Sequence, residues 1–420
     1  MNNHKIKTFG CRLNFYESEV IRKFAKKNNI QNTTFINSCA VTNKAVSDLK
    51  SEIRKTRREN PKEKIILTGC AAQIHTNEFE KMEEIHSIIG NKEKLKEETY
   101  TCLSSEKNGE KIKLVSDIFD ETQATSPIIE KIENKIRGFV QIQNGCDHRC
   151  TFCIIPYGRG NSRSVGTKEI IKQIKTLIDQ GYKEIVLTGV DLTSYGNELR
   201  DKISLGNLLK LILKNVPHLE RLRLSSLDVA EIDENLLNVI TNEKRILPHI
   251  HLSLQSGDNM ILKRMKRRHS REDAIRIVKK IKTLRSDMVF GADLIAGFPT
   301  ETDEMFQNTV KLVDECEITF LHVFPFSPRN GTPAHRMPQV DGNKIKNRAK
   351  ILRTLGKKKL TEYFKKLKDT EVRVIVESKN RGRSDGFAKI SLEDDYKDGE
   401  LLNMLITGQN KFGLTGKVIV

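Results

Sequence analysis

Cys146, Cys150 and Cys153 stand at CxxxCxxC spacing in the segment GCDHRCTFC, so one short loop supplies three thiolates. A closed structural zinc site takes four ligands, and no fourth cysteine or suitably spaced histidine follows nearby. Three thiolates suit a 4Fe–4S cluster that keeps one iron open for a small ligand, because ordinary clusters take four cysteines. Short cysteine-rich spacings in a reducing compartment point to metal or redox chemistry rather than disulfides. A zinc loop is the plain alternative for this segment taken alone.

A second set is dispersed. Cys11, Cys39 and Cys70 each follow a short apolar run, at residues 6–9, 34–36 and 65–68. Those runs read as buried parallel strands, with helical stretches at 17–27 and 44–60, the latter ended by Pro61. Ligands bind at the carboxyl ends of strands in an open α/β sheet. Three cysteines at three such ends therefore converge despite wide separation, as a second three-thiolate site. The plain alternative is three small buried residues. Residues 95–131 are polar and read as a weakly structured end of this domain plus a linker, with Cys102 incidental.

From Arg137 onward, strand, loop and helix repeat about six times. Strands are expected at 139–143, 184–188, 221–224, 249–254, 289–295 and 319–324, and helices at 167–180, 205–215, 271–284 and 303–315. Such alternation implies a parallel sheet with right-handed crossovers, here a partial barrel. The residues just after barrel strands line the active face. The cysteine loop and the polar clusters 189–195, 225–228, 255–258, 296–300 and 325–329 all fall there. A strongly basic helix follows over 341–368, then short β-like runs from 372 to 420 that read as a small β module. The architecture is α/β, with domains at 1–125, 132–368 and 369–420.

The 420 residues carry a formal net charge of +18, which favours a polyanionic partner such as nucleic acid. No stretch approaches the roughly 20 apolar residues of a membrane span. The first residues, MNNHK, lack a signal-peptide apolar core, so a cytoplasmic setting is expected. Tryptophan is absent, and any base stacking falls to scattered Phe and Tyr.

In order along the chain come TFGCRLN (8–14), NSCAVT (37–42), TGC (68–70) and GCDHRCTFCIIPYGRG (145–160). They are followed by LTGVDLTSYG (187–196), HLSLQSG (251–257), MKRR (265–268) and GADLIAGFPTE (291–301). This series resembles the radical S-adenosylmethionine (SAM) methylthiotransferases, and among them the MtaB type. The resemblance implies that Cys146, Cys150 and Cys153 hold the SAM-binding 4Fe–4S cluster. It implies that Cys11, Cys39 and Cys70 hold an auxiliary 4Fe–4S cluster that carries or donates sulfur. The implied reaction places a methylthio group on C2 of N6-threonylcarbamoyladenosine beside the tRNA anticodon. SAM is then both radical source and methyl donor. A flavodoxin- or ferredoxin-like electron donor and a sulfur donor are implied as partners, and the C-terminal module resembles a TRAM domain. The rivals are MiaB-like action on isopentenyladenosine, RimO-like action on a ribosomal-protein aspartate, and a non-catalytic RNA-binding protein stapled by clusters or zinc.

An adenine C2–H lies beyond ordinary side-chain acid–base chemistry, so the hard step belongs to a cofactor. By position, Phe152 shields the cluster or is a core aromatic. Gly189 lets SAM approach the backbone. Ser253 and Gln255 bind SAM polar groups or cap turns. Gly297, in AGFP, packs beside the SAM adenine or makes a tight turn. Arg159, Arg163, Lys263, Arg264, Lys266, Arg267 and Arg268 flank the active face as RNA contacts, and the 344–368 lysines are either a further contact or a solvated face. Recognition of an unpaired, splayed base suits an anticodon-adjacent purine.

Overall fold

The computed structural model describes residues 4–106 and 110–419. Its first sheet is parallel and runs in chain order: β1 (His4–Thr8), β2 (Thr33–Ser38), β3 (Lys64–Gly69), β4 (Ser87–Ile89) and β5 (Lys113–Leu114). All six residues of β2 are buried, which explains its unbroken run of strand-forming residues. Around the sheet lie α1 (Arg12–Lys27), α2 (Asn43–Glu59), α3 (Cys70–Ile74), α4 (Thr76–Glu80) and α5 (Glu97–Ser104). The segment expected to be irregular instead contributes α5 and β5. Tyr100 and Leu103, one helical turn apart, are buried in the core, and β5 pairs with β4. The polar composition concealed a helix with one apolar side.

The second unit is the six-stranded partial barrel. Its first half is β6 (Arg137–Gln141), then the short pair β7 (Gln143–Asn144) and β8 (Arg163–Ser164), then β9 (Glu184–Thr188) and β10 (Arg221–Leu224). Its second half is β11 (His249–Gln255), β12 (Val289–Ala296) and β13 (Ile318–Pro325). The strands β6–β9–β10 and β11–β12–β13 pair in parallel, and bridges Leu222–Ile246 and Leu227–Leu252 join the halves. The helices are α6 (Ile155–Arg159), α7 (Thr167–Asp179), α8 (Leu205–Asn215), α9 (Glu234–Asn242), α10 (Asn259–Arg264), α11 (Arg271–Leu284) and α12 (Asp303–Glu315). One apolar core runs between these helices and the strands.

The long helix α13 (Gly342–Leu367) packs along β13, with Arg348, Ala349 and Leu352 buried. It leads into a closed β-barrel of β14 (Glu371–Ser378), β15 (Arg381–Ser384), β16 (Lys389–Ser391), β17 (Leu401–Gln409) and β18 (Leu414–Val418). Among the described residues no helix is long and apolar enough to cross a membrane.

The C-terminal barrel docks against the strand starts of the partial barrel through buried charge. Glu184 accepts from Arg221 Nε and Arg223 Nε, each at 2.9 Å, while Asp385 of the C-terminal module meets Arg221. Phe387 stacks on His249 at 4.5 Å and lies under the Arg223 guanidinium. Burial works against the Glu184 charge, yet Arg223 and Arg221 hold its pKa down to about 2. A depressed acid stabilises the fold above its unfolded pKa and loses that contribution as pH falls toward the folded value. The difference from an ordinary glutamate is worth about 3 kcal/mol. Glu184→Gln is therefore expected to lower the unfolding free energy by about 3–5 kcal/mol, because two buried arginines lose their acid. Urea titrations from neutral pH down toward pH 3 should also show a flatter acid dependence in the variant.

Candidate active site

Each N-terminal cysteine sits where a strand ends. Cys11 occupies the N-cap position of α1, Cys39 follows β2, and Cys70 opens α3. The chain turns tightly at Gly10 and Gly69, both at positive φ; a Cβ on Gly10 would stand 2.8 Å from Cys39 Cβ. Burial pushes the Cys39 thiol up to about 11, and the neighbouring Cys70 adds to the shift. The three dispersed cysteines thus converge, as their places in the sequence predict.

The loop cysteines lie beyond β7, whose pairing with β8 pins the base of the loop. Arg149 takes a positive φ within it. Cys146, Cys150 and Cys153 are all half-buried free thiols. Burial raises Cys153 to about 12, and burial together with Asp191 raises Cys146 further. Three soft thiolates with no fourth cysteine beside them fit a multi-iron cluster with one open iron.

A cavity of about 300 Å³ opens beside this loop. Its walls include Cys146, Cys150, Cys153 and Phe152 on one side, and Val41 and Thr42, just past Cys39, on another. Ser253, Gln255, Asp293 and Ile295 from β11 and β12 complete the wall between them. Gln255 holds a φ of 69°, a conformation uncommon outside glycine and often found at functional sites. Phe152 both faces the cavity and packs edge-on against Phe298, so its two readings are compatible.

Two expected cofactor contacts are placed differently. A Cβ on Gly189 would stand 2.9 Å from Gln143 Oε1, which accepts from the amides of Val190 and Asp191; the glycine makes room for that side chain. A Cβ on Gly297 would fall 2.5 Å from Ile345, so this glycine makes room for α13.

The basic residues divide sharply. Arg159 and Arg163, expected to meet RNA, are 3% and 5% exposed and structural. Arg159 pairs with Glu17 at 2.7 Å and donates to Asn144, while Arg163 donates to the carbonyl oxygens of Arg159 and Asn161. Arg267 also turns inward, donating to Asp228 at 2.8 Å, to the Ser253 carbonyl and to Cys150 Sγ. Arg264 is committed to Thr300. Lys263, Lys266 and Arg268 are exposed.

Residues that sequence reasoning left without roles form the polar wall. His148, between two cysteines, lies 2.6 Å from Asp191 and 3.7 Å from Glu231. Burial opposes its charge, but Asp191 and Glu231 carry its pKa up to about 10. The signal for His148 was its place inside the cysteine loop; Glu231 gave none.

A six-stranded partial barrel carrying a three-cysteine loop at its active face defines a radical SAM enzyme. Residues 140–313 match the radical SAM superfamily, and residues 3–90 match an uncharacterized protein family, UPF0004. The chain is 46% identical to the threonylcarbamoyladenosine tRNA methylthiotransferase MtaB of Rickettsia prowazekii, over 96% of this chain and 94% of that one. It is 36% identical to MtaB of Aquifex aeolicus over 95% and 98% of the two chains. The chain belongs to the MtaB family of radical SAM methylthiotransferases. The radical SAM methyltransferase TsrM of Kitasatospora setae shares the fold at a TM-score of 0.52 and 15% identity, over 76% of this chain and 67% of that one.

Arg159→Met removes the cation that ties the cysteine-loop helix to α1 and strips one partner from a fully buried carboxylate. Breaking a buried pair in this way costs about 3–5 kcal/mol. Calorimetry should show lower stability, with the first domain melting separately from the barrel.

Proposed function

We propose that this enzyme methylthiolates C2 of N6-threonylcarbamoyladenosine next to the tRNA anticodon, using one 4Fe–4S cluster on Cys146, Cys150 and Cys153 and a second on Cys11, Cys39 and Cys70. The observation that carries this reading is the shared cavity, lined by the cysteine loop and by the turn that follows Cys39. When bound, the loop cluster and SAM supply the radical that activates an otherwise inert carbon, and the second cluster supplies sulfur.

The chain's own residues orient and shield. Phe152, Ile295 and Phe326 give the cavity an apolar side that excludes water. Arg267, fixed by Asp228 and the Ser253 carbonyl, holds one N–H against Cys150 Sγ. His148 lies between Asp191 and Glu231, which favour its charged form. Ser253 and Gln255 are the SAM contacts this reading retains; Lys263, Lys266 and Arg268 are its RNA contacts. It assigns the auxiliary cluster to residues 1–125, the radical chemistry to 132–368 and tRNA docking to the TRAM-like module at 369–420. A flavodoxin- or ferredoxin-like protein supplies electrons and a separate donor restores sulfur, in the cytoplasm where tRNA is found.

The test is anaerobic reconstitution with iron and sulfide, then incubation with dithionite, SAM and tRNA bearing threonylcarbamoyladenosine. Cys150→Ala should abolish both 5′-deoxyadenosine and the methylthio mass gain. Cys39→Ala should keep the former and lose the latter. Modification of isopentenyladenosine tRNA instead would overturn the substrate assignment. Affinity for the anticodon loop should fall with salt, and removing Lys263 and Lys266 together should flatten the log–log slope by up to about 1.4, at about 0.7 per lost phosphate contact.

A further inference from the structure

Below the cavity, the inside of the partial barrel is built in layers. β11 turns His249, His251, Ser253 and Gln255 inward by strict alternation, with the even-numbered residues between them packed in the core. The lowest layer is closed: His249 is buried against Phe320 and the C-terminal module's Phe387. The layer above it is His251 on β11, Asp293 on β12 and His322 on β13, three adjacent strands.

The donor atoms of that layer converge on one point. His251 Nε2 lies 3.0 Å, and His322 Nδ1 3.4 Å, from the same oxygen, Asp293 Oδ1. All three atoms fall within 4.8 Å of one another. His251 Nε2 is closed to solvent, and it meets Asp293 Oδ1 at 3.0 Å without hydrogen-bond alignment. A buried imidazole nitrogen poorly aligned with the one carboxylate beside it is costly unless another group joins them. Donors of one tetrahedral ion, at bonds of about 2.0–2.1 Å, stand roughly 3.3 Å apart; the two nitrogens stand 3.0 and 3.4 Å from the shared oxygen.

The fold also makes room for this arrangement. Position 291 is a glycine, and a Cβ there would stand 2.7 Å from His251 Nδ1. The two imidazole rings lie 4.6 Å apart at a 35° tilt, both directed at Asp293. Asp293 lines the cavity, so one side of the cluster faces the space where substrate is expected. Two other groupings of this kind share His148: one, with Cys146 and Asp191, includes a thiol of the cysteine triad, and the other, with Asp228 and Glu231, offers one imidazole only.

We infer that His251, Asp293 and His322 form a mononuclear site for a divalent transition-metal ion, zinc being the best match to two imidazoles and one carboxylate. Three protein ligands leave a fourth position open, as in catalytic rather than structural zinc sites. An oxygen ligand, water or an oxygen of a bound substrate, would suit that position, and Asp293 stands in the cavity wall. The ion is separate from the two cysteine triads in both place and ligand chemistry.

The test uses the full chain with its iron–sulfur clusters loaded, so that cysteines do not capture the added metal. The enzyme is stripped with a chelator that leaves iron content unchanged, then dialysed against zinc. Zinc is quantified by mass spectrometry and its ligands by X-ray absorption. About one zinc per chain is expected, with nitrogen and oxygen neighbours and no sulfur. His322→Ala, at an exposed position, should bind zinc at least about tenfold more weakly with iron unchanged, since losing even an outer-sphere partner costs 10–100-fold. His251→Gln should behave in the same way. Absence of zinc, sulfur ligation, or equal zinc in wild type and both variants would overturn the site.

Discussion

The two halves of this enzyme are held in register by one buried knot of charge. Glu17, fully buried on α1, meets Arg159 at 2.7 Å and Lys94 at 2.6 Å. Burial alone would raise the Glu17 pKa, but Arg159 and Lys94 reverse that and hold it below the ordinary value. Both cations also reach toward a cysteine. Lys94 donates to Asn37, two residues before Cys39, and Arg159 donates to Asn14, three residues after Cys11. Asn91 bonds both Cys70 Sγ and the carbonyl of Gly158, next to Arg159. Arg159 ends the helix that follows Cys153, so the knot fixes one cysteine set relative to the other. Buried ion pairs are weak evidence of net stability, but breaking one leaves a stranded charge. That asymmetry suits a joint whose value lies in geometry.

The opposite end of the barrel is closed by the same means with different chemistry. Glu184, Arg221 and Arg223 are nearly inaccessible, and the C-terminal module adds Asp385 and Phe387 beneath them. Phe387 lies under several guanidinium groups and against His249, so aromatic and cationic surface seal the floor together. The cavity opens on the side of the cysteine loop and the first domain. The C-terminal module supports the radical SAM barrel structurally.

Much of this was legible because period and punctuation agree. Strands 184–188 and 221–224 and helices 205–215, 271–284 and 303–315 coincide with their expected limits, since each apolar pattern is bounded by a turn or cap residue. Ser270 and Asp273, for instance, form a full capping box before α11. The cysteine sets were legible because strand ends gather ligands in parallel sheets. What failed to read was the direction of side chains. A glycine at 189 or 297 gives the same sequence signal whether a ligand approaches the backbone or, as here, Gln143 and Ile345 do. The α5 segment was hidden by its polar face, and the His251–Asp293–His322 layer by a spacing that only strand pairing reveals.

The arginines show why a net charge of +18 is a poor map of an RNA surface. Guanidinium groups are planar, multidentate and comparatively easy to desolvate, so they are favoured where buried carboxylates need partners. Arg159, Arg221, Arg223 and Arg348 are used in that way, each set against an acidic residue. Lysine keeps a strongly hydrated point charge; Lys94 is buried in the knot, but Lys263 and Lys266, and along α13 Lys344, Lys346, Lys350, Lys357 and Lys358, stay outside. The arginines thus spend their charge on holding the domains together. Exposed lysines carry much of the remaining positive charge, and α13, packed on β13 by one side, presents a row of them on the other.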